Sequence, residues 1–123
     1  METLKVELVN VPGASILRLS GELGLRMEGA EIAFNRLAAQ RPAVAVIDLS
    51  KLAFISSLGM GLLVRLRQGL APHKGVVRIA GASPQVTDSL RRARLIDLFQ
   101  LYETADQAVA AGPPAPPAAG RAG

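Results

Sequence analysis

Cysteine is absent from the 123 residues, and histidine occurs once, as His73. Without thiols there are no disulfides, no thiolate metal sites and no cysteine nucleophile. A single imidazole cannot build a multi-histidine metal site. Aromatic residues make up only 3% of the chain (Phe34, Phe54, Phe99 and Tyr102, with no tryptophan). The core must therefore be aliphatic, and rows of aromatics that stack single-stranded bases are excluded. No apolar run reaches the roughly 18 residues that cross a bilayer. The opening Met1–Leu8 alternates polar and apolar residues and carries acids, unlike the basic start and long apolar stretch of a signal peptide. A cytoplasmic protein without membrane insertion, metal or cofactor is the expectation.

Half of the residues are hydrophobic and 20% are charged, enough apolar material to fill the core of one domain. The net charge of +4 is unevenly spread. Residues 51–94 carry Lys51, Arg65, Arg67, Lys74, Arg78, Arg91, Arg92 and Arg94 against Asp88 alone. This segment suggests an acidic partner surface, and less readily phosphates. From Gly112 to Gly123 the chain turns to proline, alanine and glycine, with four of the eight prolines. That stretch reads as a disordered or polyproline tail on a domain of residues 1–111.

Within the domain, Leu4, Val6 and Leu8 alternate as in a half-buried strand. Val11-Pro12-Gly13-Ala14 makes a turn, and Ile16, Leu17 and Leu19 complete an antiparallel hairpin that Gly21 breaks. Met27 to Gln40 has helical spacing and stops before Pro42. Ala43–Leu49, almost wholly apolar and rich in β-branched residues, reads as a central strand buried on both faces. A short loop then re-enters the core at Phe54 and Ile55. Leu58, Leu62, Leu66 and Leu70 form one helical stripe. Val76–Ala80 reads as the next strand, and Ser83-Pro84 opens a helix through Val86, Leu90 and Ala93. Leu98–Tyr102 is a short strand, and Thr104 caps a last helix over Ala105–Ala110. The predicted order β-β-α-β-α-β-α-β-α requires right-handed crossovers and one mostly parallel sheet of about five strands, packed with four helices. The fold class is α/β.

Function concentrates between Asp48 and Leu63, where two serines open a helix with Gly59 and Gly61 in its first turns. Each helical glycine costs ~1 kcal/mol relative to alanine. A bare backbone must therefore be needed there, either for packing on the sheet or for the approach of another molecule. Serine catalysis is a poor account. The lone His73 lies at the far end of the same helix, roughly 20 Å away, and glycines do not flank a serine as in a nucleophile elbow. Gly59-Met60-Gly61 is similar to part of a dinucleotide-binding loop, but Val64 holds the third glycine position and no Walker lysine follows. A regulated binding surface is the third account. Phosphate on a serine at a helix start is tolerated by the domain. It would place about −1.5 to −2 charges on a face of Met60, Val64, Arg65 and Arg67. The bland alternative is a serine that merely caps the helix, worth ~1 kcal/mol.

These residues resemble the STAS family, and within it the bacterial anti-sigma factor antagonists. Asp48-Leu49-Ser50 followed by Phe54-Ile55-Ser56-Ser57-Leu58-Gly59-Met60-Gly61 is similar to the family's Asp-Leu-Ser, loop, Phe-Ile-Asp-Ser-Ser-Gly-Leu-Gly. Leu19-Ser20-Gly21-Glu22-Leu23 looks like its Leu-x-Gly-Glu-Leu, and Ser83-Pro84 through Leu95-Ile96 follows its later segment. The likeness covers residues 3–110. It implies partner switching: the unphosphorylated protein binds an anti-sigma factor that is itself a serine kinase, and so frees the sigma factor. Phosphorylation of Ser57, with Ser56 as the alternative acceptor, ends the interaction, and a serine phosphatase restores it. The implied docking residues are Ser56, Ser57, Met60, Gly61, Val64, Arg65 and Glu22, on a monomer or weak dimer with no direct role in nucleic-acid binding. The chain departs from the family at three positions: Ser56 and Gly24 stand where acids are usual, and Leu58 replaces the second serine. An STAS subunit of a phospholipid-transporting ABC complex, which needs no phosphoacceptor, is the competing expectation. DNA binding through the basic segment, without a helix-turn-helix pattern, is the third.

Overall fold

A computed structural model describes residues 4–24 and 27–114; the part of the expected tail from 115 to 123 lies outside the described residues. The strands are β1 (Lys5–Val11), β2 (Ala14–Leu23), β3 (Val44–Ile55), β4 (Val76–Ala80) and β5 (Gln100–Tyr102). The helices are α1 (Glu28–Ala39), α2 (Ser57–Leu70), α3 (Pro84–Arg92) and α4 (Ala105–Ala110). In the sheet the strands lie in the order β1-β2-β3-β4-β5. β1 runs antiparallel to β2, and every later pair is parallel. The order of elements, the hairpin and the mixed α/β sheet are as expected from the sequence.

Each of the three crossovers steps to the next strand in the same direction, so a common right-handedness puts α1, α2 and α3 on one face. That face carries the larger core, in which Leu17, Leu19, Ala45, Ile47 and Leu49 meet Phe34, Leu62, Leu66 and Leu90. Among the described residues only the six-residue α4 covers the opposite face, where Ala105 and Ala108 pack on Ala14, Ile16, Val44, Val46 and Ala80. Ser83 and Thr104 cap α3 and α4 as expected, accepting bonds from the Val86 and Gln107 amides at 3.2 and 3.1 Å.

Four expectations need correction. Gly21 does not end β2; with φ +99° it sits in an irregular stretch where the β2–β3 register shifts twice, and the strand continues to Leu23. A glycine tolerates that left-handed backbone, so the strand bends and keeps its ladder. Because β2 is prolonged, β3 finds partners beyond Leu49: Lys51, Leu52, Phe54 and Ile55 pair with Ser20, Gly21, Glu22 and Leu23. The expected loop is therefore strand, and the register shift between the Gly21–Leu52 and Glu22–Phe54 pairs leaves Ala53 as an extra residue that resets the alternation, so Leu52 and Ile55 are both buried while Phe54 is 41% exposed. Leu58 leaves the buried stripe as well, at 55% exposure. The inward positions of α2 are Gly59, Met60, Leu62, Leu63, Leu66 and Leu70. Finally, Arg78 does not belong to the basic surface: it is 3% exposed.

The α2 start and the adjoining groove

The end of β2 and the end of β3 lie side by side, and this pairing fixes where α2 begins. The Ser56 amide donates to the Leu23 carbonyl at 2.8 Å. Ser56 itself has extended backbone angles (φ −86°, ψ 169°), as an N-cap requires. Its Oγ accepts from the Gly59 amide at 3.0 Å and donates to the Gly24 carbonyl at 3.0 Å. Both capacities of that hydroxyl are thus engaged inside the domain. Ser57 follows as the first helical residue and is exposed.

The two serines therefore do different work. Ser56 joins the helix start to the chain leaving β2, and its replacement by alanine removes a cap and a tether together. Ser56→Ala is expected to lower stability by about 1–2 kcal/mol, with Ser57→Ala within ~0.5 kcal/mol of the parent. Urea unfolding of both variants measures the difference; equal midpoints would contradict the assignment.

Gly59 has an internal reason to be bare. A Cβ built there meets Leu23 Cγ at 2.7 Å and Cδ2 at 2.9 Å, closer than side-chain carbons approach, and Ile55 Cγ1 at a tight 3.1 Å. Of the two explanations left open by the sequence, packing on the sheet accounts for Gly59. A Cβ on Gly61 meets nothing within 4 Å, so packing inside the domain does not account for that glycine.

The remaining expected docking residues are spread around this helix. Glu22 is exposed, opposite Phe54 in the β2–β3 ladder. Val64 is half-buried against the core, and Arg65 is exposed, with its guanidinium 3.9 Å from Glu31. Met60, expected on the surface, turns inward and is 8% exposed. Arg67 spends its Nε donor on the Leu98 carbonyl at 3.0 Å. In place of Met60 the surface offers Phe54 and Leu58, which sequence reasoning assigned to the core. Together with Ser57 they form one wall of a groove whose other wall is Ser89, Arg92 and Ala93 from the end of α3. His73 lies past the far end of α2 in the 3-10 turn Ala71–His73, so Ser57 has no imidazole beside it to act as a base.

A model of the STAS domain matches residues 5–108. No curated protein sequence matches at a significant level. An anti-sigma factor antagonist from Mycobacterium paratuberculosis is 27% identical and superimposes with a TM-score of 0.80, over 89% of this chain and 94% of that one. The phosphorylated cell fate determinant SpoIIAA of Bacillus is 19% identical, with a TM-score of 0.60 over 89% of this chain and 98% of that one. The STAS domain of a SulP transporter from Vibrio cholerae is 20% identical, with a TM-score of 0.64 over 84% and 83% of the two chains. At such identity the last two likenesses show the fold alone.

Proposed function

Because this chain belongs to the STAS domain family, we propose that it is an anti-sigma factor antagonist that binds a serine kinase through the start of α2, frees a sigma factor, and is released by phosphorylation of Ser57. The observation that carries this reading is the division of labour between the two serines. Ser56 is held from both sides by the Gly59 amide and the Gly24 carbonyl, whereas Ser57 is exposed at the first position of the helix. A kinase can reach the Ser57 hydroxyl without unmaking a cap. In the reaction its oxygen attacks the γ-phosphorus of ATP, the hydroxyl proton passes to a base of the kinase, and ADP leaves.

The product suits a switch that leaves the fold intact. A phosphate of about −1.5 to −2 charges meets the positive end of α2, so the domain tolerates it. A partner closed over the same apolar surface would instead bury that charge, which is costly without a cation of its own. The likeness to the Mycobacterium paratuberculosis antagonist supports the class of partner.

The test is to incubate the protein with candidate anti-sigma serine kinases and ATP, then read intact mass and complex formation. A complex is expected without ATP, followed by a gain of about 80 Da at Ser57 and dissociation. No complex and no gain with any such kinase would overturn the reading. Co-purification of an ATPase and a permease in place of a kinase would support the ABC-complex role, which the absence of acids at Ser56 and Gly24 favours.

A further inference from the structure

We propose that the groove between the start of α2 and the end of α3 receives an acidic segment of the partner with an apolar anchor, and that Arg92 determines this specificity. The inference rests on the docking role proposed for the Ser57 face and adds the chemistry of what docks there.

The groove has two walls. Phe54, Ser57 and Leu58 form one, and Ser89, Arg92 and Ala93 the other. Phe54 and Leu58 are 41% and 55% exposed, two of five large apolar side chains exposed among the described residues, and the two that line one groove together. Such a pair accommodates a hydrophobic anchor. Among the described residues Arg92 is the one charged residue of the lining, and no acid accompanies it there. Its neighbour Asp88 lies 3.7 Å from the Arg92 guanidinium but also 3.4 Å from that of Arg91, so one carboxylate is shared between two cations. All three side chains are more than half exposed, and pairs of that kind are weak in water. Arg92 is therefore available to a carboxylate that arrives on a partner and is desolvated with it. Ser56 and Gly24, joined by the Ser56 hydroxyl, bring no acid to this end of the groove, and the acid opposite Phe54 in the ladder, Glu22, is not part of its lining. The complement of this surface is an apolar side chain flanked by glutamate or aspartate.

The same layout explains how a phosphate would act. Placed on Ser57, it enters the groove that holds Arg92, and it faces the partner's acid with like charge. Release then follows from competition for one arginine as well as from bulk.

The decisive experiment measures affinity for the kinase that forms a complex with the wild-type chain, using Arg92→Glu, Arg92→Lys and Arg91→Glu. Arg91 shares the helix end and the Asp88 contact but faces a different groove, with Ala82, Pro84 and Thr87. We expect Arg92→Glu to weaken binding about 30-fold or more, Arg92→Lys less than ~5-fold, and Arg91→Glu less than ~3-fold, with melting temperatures lowered slightly and to a similar extent in the two glutamate variants, because each places an acid in the last turn of α3 beside Asp88. Equal losses for Arg92→Glu and Arg91→Glu would reduce the effect to overall charge and overturn the proposal. Full binding by Arg92→Glu would overturn it too, while leaving the docking role of Ser57 standing. A wild-type chain that binds no kinase would remove that role and this inference with it.

Discussion

Ser57→Asp is expected to weaken binding to the partner kinase by about 100-fold, while Ser57→Ala binds within a factor of ~3 of the wild-type chain and is no longer released by ATP. The size of the effect comes from where the charge is placed. Position 57 is exposed in the free domain but shares a groove with Phe54 and Leu58, so a bound partner desolvates it. The groove then holds two acids for the one Arg92, and the acid left unpaired in the interface costs several kcal/mol; about 2.7 kcal/mol is a factor of 100. The fold pays no such penalty. An acid in the first turn of a helix interacts favourably with its dipole, by about 0.3–1 kcal/mol, and α2 has no acid in its first turn to oppose it. Ser57→Asp should thus melt at or slightly above the parent temperature and yet bind poorly. That combination separates a charge switch from simple damage. Calorimetric titration and a melting curve on the same two samples suffice. Equal affinities for the aspartate and alanine variants would refute the switch.

Much of this was legible in the chain because the informative signals are local. The parallel sheet follows from the buried run Val44–Leu49 and the spacing of the helices, and Ser83 and Thr104 announce their caps by residue type. The serine pair was placed correctly at a helix start, but the sequence could not say which hydroxyl was engaged. That depended on the Gly24 carbonyl, 32 positions away, being delivered by the neighbouring strand. The same pairing explains the errors at Phe54 and Leu58. Apolar residues beside a core strand look like core, whereas β2 continues past Gly21 and pairs with β3 through a register shift at Ala53 that turns Phe54 outward. A helical stripe at strict four-residue spacing drifts around the helix axis. By Leu58 it has left the sheet, and Gly59 faces inward instead. Arg78 is the clearest failure: in a basic segment nothing local distinguishes a solvated arginine from a buried one.

Arg78→Ala is expected to be the most damaging single change considered for stability, at about 3 kcal/mol, or a melting temperature lower by roughly 10 °C. The guanidinium is buried, and its Nε donates to Gln100 Oε1 at 2.8 Å. Its Nη1 donates to the Ala108 and Gly112 carbonyls at 2.9 and 2.7 Å, and the group lies 5.7 Å from the centre of the Tyr102 ring. Among the described residues no carboxylate pairs with it. The charge is balanced instead by carbonyls at the negative end of α4, assisted by the face of an aromatic ring. A six-residue helix has little stability of its own, so this one clamp and the contacts of Ala105 and Ala108 decide whether α4 stays on the sheet. Alanine at 78 orphans the buried Ala108 carbonyl and the part-buried Gly112 carbonyl, and opens a cavity between β4 and α4. Lysine keeps the charge but lacks the fork that reaches three acceptors, and should recover less than half of the loss. Hydrogen exchange should locate the damage, with the amides of 105–111 exchanging faster well before those of α2. Since α4 lies on the face of the sheet opposite α2, kinase affinity measured well below the melting point should stay within a factor of ~2. A loss under 1 kcal/mol, or exchange that accelerates evenly across both helices, would show that Arg78 is not what holds α4 in place.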